Sequence, residues 1–299
     1  MKGSFIFSID LELAWGTKGK PAYLPAYREE RAVMRRLCDL ADEYAIPLTV
    51  ATVGMLFLPS LKDARTRAQW LGRGREMRAR FEDGCEESLW FAPDIIRDVL
   101  ARRTPHEIGC HTCYHTLADE TDPASFRAEL EESSGFAREE FGVELTSFVY
   151  PRNLVHDLEA LAAAGRTAYR SPDPDRFAPY PTPLRQVFHC VEAYAGAAAR
   201  VGKARRQDGL VALPGSYFLP RQPRGALQIP RNARLRTLRR GLEDARDGAA
   251  LHVWLHPFNI TQDAGAWFAV ISALFRMVAD RREKGDIEPL TMRDAAARI

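Results

Sequence analysis

Residues 5–16 read FIFSIDLELAWG, an apolar run that turns acidic at Asp10 and Glu12. The run from Phe5 to Ile9 predicts a buried β-strand. Because side chains alternate between the two faces of a strand, Asp10 and Glu12 would share one face while Leu11 packs on the other. An isolated Asp-x-Glu of this kind is typical of a structural ion pair with nearby arginines. Two acids at a strand end also suit a catalytic site, so both interpretations stay open at this point.

Apolar runs of strand length recur along the chain, with helical spacing between them. Strands are predicted at 48–53, 106–110, 146–150, 210–213 and 251–255, and helices at 27–44, 94–102, 124–141, 157–164 and 266–284. Strands that alternate with helices predict parallel βα units. We therefore expect one α/β domain over residues 1–299, a parallel barrel whose functional groups lie at the C-terminal ends of the strands.

Two stretches depart from this pattern. Residues 60–90 are charged and irregular and predict an insertion on the barrel rim, and five prolines within 171–185 predict a loop.

Composition excludes several classes of protein. Of the 299 residues, 46% are hydrophobic and 27% are charged, as in ordinary soluble proteins with a packed core. No run approaches the roughly 20 apolar residues that span a bilayer. The N-terminal run meets Asp10 before a signal-peptide core is complete, so we expect a cytoplasmic protein. Five scattered cysteines, an odd number, favour reduced thiols.

Charge is concentrated in a basic segment, residues 200–240. It holds eleven Lys or Arg and one acid, Asp208, whereas the whole chain carries a net charge of only +2. Such a segment would suit a phosphate, a nucleotide or an anionic membrane, or it is a solvated arginine-rich face. Leu235, Leu238 and Leu242 lie at helical spacing among its arginines, which fits membrane contact and core packing equally. Without interleaved aromatic residues, no nucleic-acid partner is expected.

A second motif is HTCYH at 111–115, directly after a predicted strand. Histidines four apart on a helical turn present both rings on one side, as a divalent metal requires. Together with Asp-x-Glu at another strand end, they offer one carboxylate and two imidazoles and leave metal positions open for water. Cys110 and Cys113 also form Cys-x-x-Cys, but the chain has no second pair to complete a four-thiolate site.

The third motif is LHVWLHP at 251–257. Strand alternation places His252, Trp254 and His256 on one face, and Pro257 ends the strand beside His256. A histidine at this position can protonate a leaving amine. His252 lies deeper and is interpreted as a core or supporting histidine.

These motifs resemble those of the polysaccharide deacetylases, the NodB-homology carbohydrate esterases. FSIDLELAWG is similar to their first motif, HTCYH matches their His-Ser/Thr-x-x-His motif, and LHVWLHP resembles their closing Leu-x-x-His segment. YPRN at 150–153 is similar to their arginine-bearing third motif, and LTMRDAAARI at 290–299 to their last segment. The segments occur in family order over nearly the whole chain. The resemblance implies a distorted (β/α) barrel of about seven strands.

The resemblance also implies a role for each candidate residue. Asp10 would be the general base, His256 the general acid and Arg152 the group that orients Asp10 and lowers its pKa. One divalent metal ion, with zinc expected, would be held by Glu12, His111 and His115. Trp254, Leu255 and Tyr150 would contact the substrate, the first two as walls of a pocket for a small acyl group.

Two features differ from the usual family pattern. Family members commonly have adjacent aspartates in the first motif, whereas here Leu11 separates Asp10 from Glu12. The arginine of the third motif usually precedes its proline by about two residues, whereas Arg152 follows Pro151.

The implied activity is hydrolysis of an N-acetyl or N-formyl group from an amino sugar. For a cytoplasmic chain, a free, nucleotide-linked or lipid-linked biosynthetic intermediate is a better substrate than mature polymer, and the basic segment would suit a phosphate-bearing one. Two alternatives remain: a metal-independent cyclic amide hydrolase of the allantoinase or imidase type, and a catalytically inactive carbohydrate-binding relative. The second is less favoured because candidates for base, acid and metal ligands are all present.

Overall fold

Parallel strands form the wall of a barrel in the computed structural model, which describes residues 2–220 and 228–299. The strands are β1 (Gly3–Leu11), β2 (Thr49–Thr52), β3 (Glu107–Cys110), β4 (Ser147–Val149), β5 (Ala168–Ser171), β6 (Gly202–Lys203), β7 (Arg205–Gln207), β8 (Leu210–Pro214), β9 (Tyr217–Leu219), β10 (Ala249–Leu255) and β11 (Ile287–Leu290). Seven of them pair in parallel in the order β10-β1-β2-β3-β4-β5-β8. This confirms the distorted parallel barrel predicted from the sequence.

The four remaining strands lie at the margins of this wall. β6 and β7 pair antiparallel with β10 and β8, β9 runs parallel beside the end of β10, and β11 pairs with the first half of β1.

Helices cover the outside of the barrel. They are α1 (Leu24–Tyr44), α2 (Leu61–Arg67), α3 (Arg73–Arg80), α4 (Pro93–Leu100), α5 (Pro123–Phe141), α6 (Leu158–Ala163), α7 (Thr182–Ala195), α8 (Arg231–Asp244), α9 (Pro257–Ile260), α10 (Ala264–Glu283) and α11 (Met292–Ala296). Proline occupies the first turn of several of these helices, where its missing N–H removes no hydrogen bond within the helix. Among the described residues, no helix is both long and apolar enough to cross a bilayer.

Strand alternation divides the core into two layers. In β1, Phe5 and Phe7 belong to the large outer cluster, and Phe7 meets Phe275 of α10 edge to face at 5.2 Å. Ile6 belongs to a smaller cluster inside the barrel, with Met292 of α11. Because α11 binds the starts of β2 and β3, it closes the N-terminal end of the barrel. The opposite end is left for the polar groups.

Several elements differ from the predicted ones. The loop prediction for 171–185 is wrong at its end, because α7 begins at Thr182 with Pro183 in its first turn. β5 and β11 were not predicted. Residues 60–90 contain α2 and α3. In the basic segment, residues 221–227 lie outside the described residues, and Leu238 and Leu242 are buried in the core, which decides their role in favour of packing.

Candidate active site

Glu12 lies at the centre of a cluster of imidazoles at the C-terminal end of the barrel. Its Oε1 atom is 3.0 Å from His111 Nε2, 3.0 Å from His115 Nε2 and 3.2 Å from His256 Nε2. Burial alone would raise the pKa of Glu12, but the neighbouring imidazoles, His115 and His256 foremost, hold it well below its usual value. The carboxyl is therefore ionised at neutral pH.

The two histidines of HTCYH converge through strained backbone rather than a helical turn, which corrects the predicted helix. The segment after β3 is a loop in which Thr112 and His115 adopt left-handed conformations with φ of 59° and 57°. Non-glycine residues rarely adopt this region, and such strain is common at functional sites. It brings the two rings to a centroid separation of 5.1 Å.

The hydrogen bonds of His111 point to a cation. Its Nδ1 lies 2.8 Å from the Val149 carbonyl and must donate to it. In the neutral ring, Nε2 then carries only a lone pair, and this lone pair faces the Glu12 carboxylate. Two acceptors 3.0 Å apart need a proton or a metal ion between them. Glu12, His111 and His115 therefore fit a divalent cation such as zinc, as does the second group formed by Asp10, Glu12 and His256.

His115 has a contact that the sequence did not indicate. Arg73 of α3 donates from Nη1 to His115 Nδ1 at 2.9 Å, and its other terminal nitrogen lies 3.8 Å from Glu120. A neutral His115 that accepts from Arg73 carries its proton on Nε2 and donates to Glu12. This arrangement satisfies both ring nitrogens without a metal.

Asp10 is fixed by Arg170, which is fully buried. The guanidinium makes two parallel hydrogen bonds of 2.7 Å to the two carboxylate oxygens. It also donates to Asn153 and Ser8, and its plane lies 4.0 Å over the Trp254 ring. Burial would raise the pKa of Asp10, but the charge and hydrogen bonds of Arg170 outweigh it and lower the pKa. Asp10 is therefore a positioned, ionised carboxylate.

This pair corrects the predicted role of Arg152. Arg152 follows β4 in a short turn with φ of 58°, and its side chain is exposed to solvent. Arg170 instead occupies an inward position of β5, with Tyr169 on the opposite face. A signal was present in the sequence, because Arg170 precedes Pro172 by two residues, which is the usual spacing of the family's third motif.

His252 contacts Ser8, which in turn binds Arg170. It is buried, and its Nε2 lies 2.8 Å from the Ser8 hydroxyl that accepts from Arg170. Burial, together with the neighbouring Arg170, lowers the pKa of His252 to about 3, so the ring is neutral. The structure therefore makes it a supporting histidine.

His256 forms the outer edge of the site, with 19% of its side chain exposed. Its Nε2 lies 3.7 Å from Asp10 Oδ2. Burial disfavours the charged ring, but the carboxylates of Glu12 and Asp10 outweigh burial and raise the pKa. The raised pKa favours the protonated imidazole, which lies across from a fixed carboxylate, as an acid and a base acting on one substrate require.

The three predicted substrate contacts lie in different places. Trp254 is part of the site through its stacking on Arg170, and its Nε1 donates to Asp173 at 3.0 Å. Leu255 lies on the other face of β10 in the outer core, so its assignment as a pocket wall is wrong. Tyr150 is buried and donates to the His156 carbonyl at 2.6 Å, so it is part of the core rather than of the pocket.

The cysteines take no part in the site. All five are free, and Cys110 and Cys113 are buried. Burial, reinforced by the carboxyls of Glu132 and Glu129, raises the pKa of Cys113 well above that of an ordinary thiol. Its thiol therefore stays protonated.

Sequence comparisons leave the chain without a match: no protein-family model and no curated protein matches it. Solved structures do match its fold. A protein from Mycobacterium smegmatis with a provisional assignment as a polysaccharide deacetylase is 18% identical with a TM-score of 0.60, and the match covers 100% of this chain and 90% of that one. A protein from Pseudomonas aeruginosa PAO1 with a similar assignment is 15% identical with a TM-score of 0.57, over 98% and 89% of the two chains.

An allantoinase is similar to the same degree, at 16% identity and a TM-score of 0.58 over 98% of this chain and 89% of that one. At these identities the likenesses show the fold alone. The chain has the fold of the polysaccharide deacetylases, as its motifs implied, and an allantoinase shares this fold. The residues of the site must therefore decide between the two activities.

Proposed function

We propose that this chain is a metal-dependent amide hydrolase that removes an N-acetyl or N-formyl group from an amino sugar. The observation that carries the proposal is the pair of Asp10, fixed by Arg170, and His256, whose Nε2 lies 3.7 Å from Asp10 and 3.2 Å from the histidine-lined Glu12. Amide hydrolysis needs a nucleophilic water, a base that takes its proton and an acid that protonates the leaving nitrogen.

A metal would be held by Glu12, His111 and His115. When bound, such an ion lowers the pKa of a water to about 7 and polarises the substrate carbonyl. The unprotonated Nε2 of His111 opposite the Glu12 carboxylate supports this assignment.

The chain's own residues would handle the protons. Asp10 stays ionised because its pKa is lowered, and each of its oxygens keeps a lone pair free beside the bond from Arg170. It would accept the proton of the attacking water. His256, whose pKa is raised, would donate to the departing amine nitrogen. His252 and Ser8 would act only by holding Arg170 in place.

Burial of the carboxylates supports a small acyl group. Asp10 and Glu12 are almost fully buried, which favours a small acyl group such as acetyl or formyl over a bulky one. Phe218 and Phe258 flank His256 with ring centroids at 5.5 Å and 5.2 Å, and the partly exposed ring of Phe218 suits contact with the apolar face of a sugar ring. A cytoplasmic biosynthetic intermediate, free or carrying a phosphate, remains the proposed substrate.

The test combines metal analysis with a substrate panel. Protein purified without chelator should carry about one divalent ion per chain, and the His111→Ala, His115→Ala double variant should carry none. Asp10→Asn should keep the metal and lose about two or more orders of magnitude in turnover. Release of acetate or formate would be measured on N-acetyl and N-formyl amino sugars, both free and nucleotide-linked. Stoichiometric metal in the double variant would contradict the proposed ligands.

The contact between Arg73 and His115 favours a second candidate, a metal-independent cyclic amide hydrolase. It satisfies His115 without a metal. This candidate predicts unchanged ring opening of cyclic ureides or imides after dialysis against chelator, a treatment that should abolish deacetylation.

A further inference from the structure

One helix of the barrel carries an unusual apolar surface. Among the described residues, eight large hydrophobic side chains are exposed, and five of them lie between 180 and 194. Leu184, Val187 and Val191 are 50%, 55% and 60% exposed and fall at positions i, i+3 and i+7 of α7, so they form one stripe. None of the residues of α7 is buried. Contiguous apolar surface of this kind marks an interaction site.

Arginines are frequent in the segments next to this stripe. Residues 174–200 and the exposed positions of 231–240 together carry seven arginines and two acids. Arg240 donates to the carbonyl of Gly196 at the end of α7 at 2.9 Å, and Arg236 packs over the same glycine. One of the two acids, Glu192, is already paired with Arg176 and Arg200. The surface therefore carries a surplus of positive charge.

We propose that α7 docks this protein on an anionic membrane, with Leu184, Val187 and Val191 inserted at the headgroup boundary. A helix with an exposed apolar stripe and flanking arginines has the pattern of helices that lie in the membrane interface. Each cation near an anionic surface adds about 1 kcal/mol to the attraction. A second copy of the chain fits this surface less well, because a two-fold interface would place the arginines of one copy against the arginines of the other.

The inner side of α7 leads towards the active site. A cavity of about 360 Å³ separates Glu192 and Ala193 of α7 from Asp173 and Phe218. Asp173 accepts from Trp254, and Phe218 stacks on the same ring at 4.2 Å. The cavity therefore places α7 beside the Trp254 side of the candidate active site. The docking itself rests on the surface of α7 and not on the proposed activity.

The test measures binding of the full chain to lipid vesicles by co-sedimentation. We expect binding to vesicles of phosphatidylcholine mixed with phosphatidylglycerol, weak binding to pure phosphatidylcholine, and loss of binding as salt rises. The double substitution Val187→Glu, Val191→Glu should lower the partition coefficient about tenfold or more, because it removes apolar contact and adds negative charge. Leu100→Glu, at an exposed leucine of α4, is the matched control and should leave binding unchanged.

Three results would overturn the proposal. The first is equal binding to neutral and anionic vesicles, and the second is full binding by the α7 double variant. The third is a concentration-dependent dimer that the double variant abolishes and that does not bind vesicles, measured by light scattering after size exclusion. Circular dichroism of each variant checks its fold, and Val187→Ser, Val191→Ser replaces any variant that unfolds.

Discussion

Replacing Arg73 with glutamine should tighten metal binding at the site. A histidine that binds a metal through Nε2 carries its proton on Nδ1 and needs an acceptor there. In the structure Arg73 offers His115 Nδ1 a donor instead, at 2.9 Å. Two opposed donors leave a buried group unsatisfied, at a cost of about 1–3 kcal/mol. Arg73 has a nearby alternative in Glu120 at 3.8 Å, so we expect the lower part of this range, about a tenfold gain in affinity on removing the guanidinium.

The assay is competition for zinc between the purified protein and a fluorescent chelator of known affinity. Arg73→Met tests whether loss of the donor suffices, and Arg73→Gln adds an acceptor. Arg75→Gln, at an exposed position of the same helix, is the matched control and should leave the affinity unchanged. Unchanged or weaker binding in both Arg73 variants would refute the argument that the guanidinium opposes the metal-bound form of His115.

Three further predictions concern titrating groups. Arg170→Met should raise the pKa of Asp10 and move the acid limb of the pH-activity profile to higher pH, whereas Arg152→Met should leave that limb in place. The raised pKa of His256 predicts an alkaline limb above the ordinary value of 6.5, and His256→Ala should lack it. Burial raises the pKa of Glu129 to about 8 in the folded protein from 4.5. The stabilisation from its protonated form is fully present below pH 4.5. It is lost as the pH rises through 8, and the total loss is up to about 5 kcal/mol. Glu129→Gln should therefore lose less stability than the parent between about pH 5 and about pH 9 in denaturant titrations; an equal loss would contradict this.

Helices and strands with a clear pattern of apolar residues were predictable from the sequence. β1, β2 and β10 read as mostly apolar runs because both of their faces are buried. α7 was missed because prolines 179, 181 and 183 predict a loop, and because a helix with no buried residue shows no inward face. β11 is four residues long and includes Pro289, which argues against a strand in sequence alone.

The site was predictable where it depends on strand ends. Asp10, Glu12 and His256 follow from alternation within single strands, which is a local property. The choice of Arg170 over Arg152 depends on the parallel register of two strands, in which Val149 lies beside Arg170. Such a register is a tertiary property. The contact of Arg73 with His115 likewise joins a rim helix to a loop more than forty residues away in sequence.

The position of β1 has a consequence for the order of folding. One edge of β1 pairs with β10, and the other pairs with β11 along its first half and with β2 along its second. A growing chain that has reached residue 240 has made β1 but neither β10 nor β11, so two of the three neighbours of its earliest strand are still missing. Contacts between such distant segments form slowly because of the entropy of closing the loop between them. Glu12 and His256 can therefore meet only after β10 and His256 have been synthesised, and until then β2 is the only one of the three neighbouring strands with which β1 can pair.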